Sequence, residues 1–272
     1  MHRLIFDAEY DKYLPSSPAR QEGKEPSDIE VVNTAYDNAG EAHKFLRECF
    51  GRVSFDGRDA TIRVVVRHGN RSEWRESSIC LATDHSTHLD LLTHEFFHGV
   101  LATTIRPIME GQSGALAESF CDVMGVLCRQ WHLERTGGQA AGTDWMVGAG
   151  VFPDFAPLSN ALRSLAAPGS VFGDALLPGG PQVAHFSNLV TGDADIYRNA
   201  GIPSHAFYLA ATGAGGHAWT GIGRVWFEAF TRDLGDEAEF ADAARHTIRR
   251  AEALGLAAPV VKAWQQVGVP TA

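Results

Sequence analysis

The stretch 91–100 carries the residues of this chain most suited to chemistry, His94-Glu95-Phe96-Phe97-His98 within an apolar run. On a helix, positions four apart share a face, so the imidazoles of His94 and His98 could hold one zinc ion. Glu95 lies beside them and could take a proton from water activated by that metal. The pattern H-E-x-x-H therefore indicates zinc-dependent hydrolysis, with peptide bonds as the first candidate substrate. Because so short a motif also occurs by chance, the hypothesis depends on the rest of the chain.

A third ligand is needed, because catalytic zinc takes three protein ligands and leaves one position open. Glu118 follows His98 by twenty residues in a segment with helical character, and Asp122 lies four residues further on the same face. An antiparallel pair of helices would bring Glu118 to the metal. Asp122 could then accept a hydrogen bond from the outer nitrogen of His94 or His98 and fix its tautomer.

The elements that must position these residues follow from periodicity. Residues 29–50 have helical spacing that ends at Gly51, whereas 60–66 and 78–82 are typical of strands. The helix that carries the motif is expected to begin near Ser86 or Thr87, both good N-caps.

Beyond the motif, a second long helix is predicted over 113–131, and residues 133–200 are rich in Gly, Pro and Ala with weak periodicity. Residues 8–28 contain three prolines and read as an extended arm. Further helices are expected around 203–212, 218–234, 236–254 and 258–267. The chain therefore combines a mixed α/β first part with a mainly helical second part.

Composition excludes several classes of protein. The 272 residues are 44% hydrophobic, enough for a sizeable core, and the formal net charge of −10 with no Lys/Arg cluster argues against nucleic-acid binding. No run of 18 apolar residues is present, so no membrane span is expected.

The four cysteines form no metal or redox pattern and are expected to be free. The first residues lack a signal-peptide pattern, which favours a cytoplasmic location, or a secreted one if the chain is a trimmed mature form. The sequence does not define an oligomeric state.

Several segments, taken together and in order, resemble the thermolysin-like metalloproteases. The motif helix is followed at the family's spacing by a G-x-x-x-E-x-x-x-D helix that carries Glu118 and Asp122. Further similar segments are 160–164, 199–208, 215–217 and 267–269. The arm over 14–23 is similar to the mature start of the protealysin-type branch. The chain is identified as a divergent member of that family.

The resemblance implies an α+β fold, with an N-terminal α/β domain over 1–105, a mainly helical C-terminal domain over 106–272, and zinc in the cleft between them. It makes Glu95 the general base. It also implies that His217 donates a hydrogen bond to the tetrahedral oxyanion and that Arg163 grips a substrate carbonyl. Without the resemblance, His217 would be interpreted as a surface histidine in a Gly-rich loop and Arg163 as an ordinary surface cation.

Two departures from the family concern the substrate. Met109 occupies the position of a tyrosine that is a second oxyanion donor in the family, and a thioether cannot donate. The edge-strand sequence that binds the substrate backbone is replaced by Arg71-Ser72-Glu73-Trp74. We therefore expect slower or altered turnover and a restricted peptide or protein substrate, with Arg71 favouring an acidic one.

The family's calcium site is also altered. Asp90 and Asp144 match two of its carboxylates, but Arg129, Met146 and Ala149 replace acids. Because calcium needs several oxygen ligands, we expect no calcium here and a pairing of Arg129 with Asp90 or Asp144 in its place.

Two other functions remain compatible with the sequence. The chain could be a tailoring hydrolase that acts on one dedicated peptide or small amide, which Met109 and the altered edge sequence favour over a general digestive protease. It could also be a degenerate protease kept for partner binding. Retention of Glu95 argues against that, since binding alone has no need of a general base.

Overall fold

A computed structural model describes residues 1–138, 145–152, 160–192 and 195–271. A five-stranded sheet and three helices occupy the first half of the chain, and the second half is mainly helical. The predicted α+β class is confirmed. The domain boundary between residues 105 and 106 stays a prediction. It falls in the connection between the motif helix and the helix that carries Glu118.

The sheet has three parallel central strands and two antiparallel edges, in the order β2-β1-β3-β5-β4. Its strands are β1 (Arg3–Asp7), β2 (Arg20–Gln21), β3 (Ile62–Val66), β4 (Glu73–Arg75) and β5 (Ser78–Cys80). A two-stranded pairing of β6 (Met146–Val147) with β7 (Arg163–Ser164) follows later in the chain. β3 and β5 confirm the predicted strands, with bounds that differ by a few residues.

The strands β1 and β2 were not predicted. β1 is only five residues long, and Ile5 is fully buried because its strand pairs with β3 along its whole length. β2 lies within the predicted extended arm. Both strands form through pairing between distant segments, which local periodicity does not report.

The helices are α1 (Glu30–Phe50), α2 (Leu89–Ala102), α3 (Gly111–Arg135), α4 (Asp195–Asn199), α5 (Gly201–Ala214), α6 (Ile222–Glu228), α7 (Phe240–Glu252) and α8 (Ala257–Gln266). A short π-helical turn, Ala229–Asp233, continues α6. The predicted helices all appear, but the segment expected over 218–234 begins only at Ile222.

The predicted N-cap of the motif helix is wrong. α2 begins at Leu89, and His88 is its N-cap residue without a side-chain hydrogen bond. Ser86 is buried, and its hydroxyl donates to the carbonyl oxygen of Ala82 at 2.9 Å, while also accepting from the amide of Arg67. The hydroxyl therefore stabilises the turn before the helix.

Helices α2 and α3 pack antiparallel at the centre of the core. At one end of the pair, a Cβ on Gly125 would lie 2.5 Å from the carbonyl oxygen of Asp90, so the two backbones touch there. Further along, the ring of Phe97 lies 5.8 Å from that of Phe120, which in turn stacks on Phe230. This close packing fixes the register between the motif helix and the helix carrying the predicted third ligand.

No helix in the described part of the chain is long and apolar enough to cross a membrane. All four cysteines are free, as predicted, and Cys80, Cys121 and Cys128 are buried. Burial raises the pKa of the Cys80 thiol to about 12, so that thiol is a packing group rather than a nucleophile.

Candidate active site

The structure brings together the three predicted metal ligands. His94 and His98 lie one turn apart on α2, and Glu118 faces them from α3. The two Nε2 atoms are 3.1 Å apart, and the carboxylate oxygens of Glu118 lie 3.4 Å from that of His94 and 3.6 Å from that of His98. All three ligand atoms fall within 4.8 Å of one another.

These separations suit zinc. Tetrahedral ligands about 2.0–2.1 Å from a metal are separated from one another by about 3.3 Å, close to the measured values. Two imidazole nitrogens with one carboxylate are also a donor set that catalytic zinc uses. Within the residues described, no other group of three or more His, Cys, Asp or Glu side chains has this arrangement.

Asp122 holds the first ligand in place. Its Oδ1 lies 2.8 Å from Nδ1 of His94, so the imidazole presents Nε2 to Glu118 and His98. Arg163 donates from Nε and Nη2 to both oxygens of Asp122, each at 2.6 Å. Burial alone would raise the pKa of Asp122, but the charge of Arg163 and the hydrogen bond with His94 lower it. Asp122 is therefore an ionised acceptor for the imidazole N–H.

The sequence predicted that Arg163 binds a substrate carbonyl. In the structure, its Nε and Nη2 donors bind Asp122 instead. The residue nevertheless lines the cleft beside the ligands. Its side chain is 16% exposed, and its two hydrogen bonds make it a support for Asp122. A grip on substrate by Arg163 stays a prediction.

Glu95 is buried next to the ligands and lines the same cleft. Burial is the main reason that the pKa of its carboxyl is raised. The negative charge of Glu118 raises this pKa further, whereas His94 and His98 lower it when they are protonated. A carboxylate with a raised pKa is a better proton acceptor than an exposed one, which is the property a general base needs.

The cleft that contains these residues has a volume of about 850 Å³. Its walls include Arg71, just before β4, Trp74 in β4, Met109, just before α3, and Tyr197 on α4. The ligands and Glu95 line the cleft between these walls. Its size and apolar lining suit an extended peptide or another small organic substrate.

His217 is not among the residues that line this cleft, so the structure gives no support to its predicted role on the oxyanion, which stays a prediction. Its Nε2 lies 3.1 Å from a carboxylate oxygen of Glu134, its ring stacks on Trp219, and half of its side chain is exposed. Glu134 follows Glu118 by sixteen residues on α3, which is about 24 Å along a helix axis. The prediction came from the resemblance of residues 215–217 to a family segment, and so short a match does not give position in space.

One cleft residue, Tyr197, was not assigned by the sequence. Tyr197 lies on α4 and accepts a hydrogen bond from Nη2 of Arg71, whose guanidinium also lies 5.6 Å from the centre of the phenol ring. The sequence predicted that Arg71 favours an acidic substrate but did not predict this contact. The signal that could have found Tyr197 is its place two residues before the segment 199–208 that resembles the family.

The predicted replacement of calcium by arginine has partial support. Nε of Arg129 lies 3.5 Å from Oδ2 of Asp90, and its Nη2 donates to the carbonyl oxygen of Met146. The same carboxylate oxygen of Asp90 accepts from the amide of Gly148 at 2.8 Å. Asp144 lies outside the described residues. The absence of calcium stays a prediction.

Comparisons with known proteins agree with this geometry. The family model described as thermolysin metallopeptidase, alpha-helical domain, matches residues 108–269. An extracellular metalloprotease of Pectobacterium carotovorum subsp. carotovorum is 33% identical, over 98% of this chain and 81% of that protein. Thermolysin of Alicyclobacillus acidocaldarius subsp. acidocaldarius is 31% identical, over 72% of this chain and 36% of that protein.

Solved structures give the same result. The precursor of protealysin, a metalloproteinase from Serratia proteamaculans, superposes with a TM-score of 0.90 at 33% identity, and the match covers 99% of this chain and 88% of that one. The similarity thus extends over both the sheet-containing and the helical parts. Fold, sequence and the clustered ligands agree, and the chain belongs to the thermolysin-like family of metalloproteases.

Proposed function

We propose that this metalloprotease is a zinc-dependent endopeptidase whose metal is held by His94, His98 and Glu118 and whose general base is Glu95. The observation that carries the proposal is the approach of the Glu118 carboxylate to both imidazoles, at 3.4 and 3.6 Å. The substrate is a peptide or protein, as the names of the related proteases imply.

When bound, zinc would supply Lewis acidity and lower the pKa of water to about 7. Glu95 takes the proton from the attacking water as its oxygen adds to the scissile carbonyl carbon. Glu95 then delivers that proton to the leaving amine when the carbon–nitrogen bond breaks, which returns the carboxylate to its starting state. Burial raises the pKa of Glu95, which makes it a stronger proton acceptor in the first of these transfers.

Asp122 and Arg163 act on the reaction through the ligand His94. Asp122 keeps the proton of His94 on Nδ1, and Arg163 keeps Asp122 ionised and oriented. We also retain, as part of the proposal, a contact between Arg163 and a substrate carbonyl, since this residue lines the cleft.

Substrate specificity is proposed to be narrow. The cleft wall carries an exposed cation, Arg71, where the edge strand would meet an extended peptide, and Met109 offers no hydrogen bond. Both features favour one dedicated peptide, or a small amide, over broad digestion. Profiling with a peptide library tests this point, and equal cleavage of acidic and basic peptides would contradict it.

The site of action is proposed to be outside the cell. Two relatives are named as extracellular proteases, from Pectobacterium carotovorum subsp. carotovorum and Serratia marcescens (strain ATCC 21074 / E-15). These names fit the secreted alternative and do not fit the cytoplasmic expectation.

The experiment is a comparison of wild-type protein with Glu95→Gln on casein and on a peptide library, with zinc content measured for both. The amide keeps the shape of Glu95 but cannot accept the proton, so we expect zinc binding without cleavage. The matched control Glu76→Gln changes an exposed carboxylate remote from the ligands and should cleave like wild type. Equal cleavage by Glu95→Gln would refute the proposed base. No zinc-dependent cleavage of any substrate by wild type would instead support the partner-binding alternative.

A further inference from the structure

Tyr197 is a hydroxyl-bearing side chain that reaches the cleft from the helical half of the chain. Its phenol oxygen accepts a hydrogen bond from Arg71, which also lines the cleft and lies just before β4. Because the guanidinium donates into the phenol oxygen, the hydroxyl proton of Tyr197 remains available to a third group. The pair therefore presents one oriented donor within the cleft.

The packing of α4 places that donor near the third ligand. Ile196, the neighbour of Tyr197, lies against α3 so closely that a Cβ on Gly114 would be 2.7 Å from its Cγ2. The same added Cβ would lie 2.8 Å from the carbonyl carbon of Met109. Gly114 precedes Glu118 by one helical turn. Met109 and Tyr197 thus flank the same turn of α3, beside the ligand.

The reaction requires a donor here. Negative charge develops on the scissile carbonyl oxygen as water adds, and hydrogen bonds aimed at that oxygen lower the barrier. Met109 has no proton to give, His217 lies at the far end of α3, and the Nε and Nη2 donors of Arg163 bind Asp122.

Tyr197 is protonated, as a hydrogen-bond donor must be. Burial raises the pKa of its phenol, and the negative charges of Glu118 and Glu95 raise it further, whereas Arg71 opposes the shift. The hydroxyl is therefore protonated at neutral pH. Tyr197 also lines the same cleft as the proposed base Glu95 and the ligand Glu118.

We propose that Tyr197 is a catalytic residue, whose hydroxyl donates a hydrogen bond to the oxyanion formed on the scissile carbonyl, and that Arg71 is its positioning residue. The inference rests on the proposed hydrolytic function and adds to it a donor that the sequence did not assign. No proton is transferred by Tyr197. Its O–H bond persists through the addition and the collapse of the tetrahedral intermediate, and only the hydrogen bond strengthens.

The test compares wild type with Tyr197→Phe, which keeps the ring and removes the hydroxyl. We expect kcat to fall about 10²–10³-fold with little change in KM, because the lost hydrogen bond forms fully only as charge develops. Zinc content and Tm should stay those of wild type. The control Tyr208→Phe makes the same change on α5, outside the cleft lining, and should leave kcat unaltered.

A second readout does not depend on turnover. A phosphinic peptide, in which a tetrahedral PO₂⁻ group replaces the scissile amide, resembles the intermediate. Calorimetry should show that Tyr197→Phe binds this probe at least 10-fold more weakly than wild type does. Equal binding of the probe together with an unchanged kcat would overturn the proposal.

The role of Arg71 is tested by a double-mutant cycle. Arg71→Ala should lower kcat of wild type by about 10-fold but should have no further effect in the Tyr197→Phe background, because it acts through the hydroxyl. Additive losses would refute the positioning role. A rise in kcat/KM for Arg71→Ala would show instead that the contact with Tyr197 obstructs the cleft.

Failure of this inference is distinguishable from failure of the proposed function. If Glu95→Gln abolishes cleavage while Tyr197→Phe behaves like wild type, the inference alone is wrong. If wild type shows no zinc-dependent cleavage, the proposed function is wrong, whatever Tyr197→Phe does.

Discussion

Asp122 is the residue through which the site is held to the rest of the protein. It is 1% exposed, accepts from Nδ1 of His94, and receives two hydrogen bonds from Arg163. A carboxylate in this position fixes the ring orientation of the ligand and increases its basicity. The precision of the proposed metal site therefore depends on a residue that need not touch the metal.

Asp122→Asn should weaken zinc binding by about 10–100-fold, since the amide is a poorer acceptor for the imidazole N–H and leaves Arg163 without its charged partner. Competition with a fluorescent zinc chelator measures the affinity. Asp236→Asn, an exposed substitution of the same type, is the matched control. An affinity equal to that of wild type would show that Asp122 does not support the ligand.

At this scale the sequence predicted some residues well and others poorly, for one physical reason. His94 and His98 are four apart on one helix, so their proximity is local and visible in the spacing. The position of Glu118 near the two histidines could be predicted because it depends only on antiparallel packing of the next helix. His217 and Tyr197 reach their places through loops, whose paths depend on packing that spacing does not encode. The sequence therefore could not show that Tyr197 lines the cleft and that His217 does not.

Among the elements, α2 and α3 are the pair whose contact builds the site. Gly125 allows the α3 backbone to touch that of α2 at Asp90, one turn before His94. Any side chain at Gly125 would have to separate the helices.

Gly125→Ala is expected to destabilise the protein by about 1–3 kcal/mol, because its Cβ would be 2.5 Å from a backbone oxygen that cannot move freely. Urea denaturation measures the change. Gly235→Ala is the control, since nothing lies within 4 Å of its added methyl group. Equal stability of the two variants would contradict the described contact.

The ion pair between Arg129 and Asp90 joins the same two helices where the family binds calcium. Asp90 is buried, so removal of its charged partner is costly. We expect EGTA to leave the Tm unchanged, and Arg129→Gln to destabilise the protein by about 3 kcal/mol. A Tm that falls on calcium chelation would show that the carboxylate binds the ion after all.

Helices were predicted more completely than strands, because an amphipathic helix repeats its signal over many residues. α1 and α3 extend over 21 and 25 residues, whereas β1 has five and β4 three. Such short strands are defined by their partners. The N-cap of α2 was misjudged for a related reason, since Ser86 had a competing carbonyl acceptor in the preceding turn.

At the scale of the whole molecule, the N-terminal arm is fixed to the sheet and to α1 by charge. Arg3 donates to both carboxylate oxygens of Glu22, at 2.6 and 2.7 Å, and the hydroxyl of Tyr36 donates to one of them at 2.9 Å. The hydrogen bond from Arg3 is the main reason that the pKa of Glu22 is lowered from 4.5 to about 2. The arm that crosses the sheet edge thus depends on an ionised Glu22.

A carboxyl whose pKa is lower in the folded than in the unfolded state stabilises the fold at pH values above its unfolded-state pKa. That stabilisation is lost as the pH falls to its folded-state pKa. The contribution of Glu22 should therefore be complete above pH 4.5 and be lost as the pH falls to about 2. At neutral pH we expect Glu22→Gln to destabilise the protein by about 1–3 kcal/mol. Denaturation at several pH values should show this difference vanish in acid, and a constant difference would contradict the assignment.

The central claim is that His94, His98 and Glu118 hold a single zinc ion, and diffraction at the zinc absorption edge tests it most directly. Crystals of the zinc-loaded protein should show one anomalous peak about 2.0–2.2 Å from Nε2 of each histidine and from the Glu118 carboxylate. A protein that cleaves peptides while the peak is absent, or lies on other residues, would contradict the account.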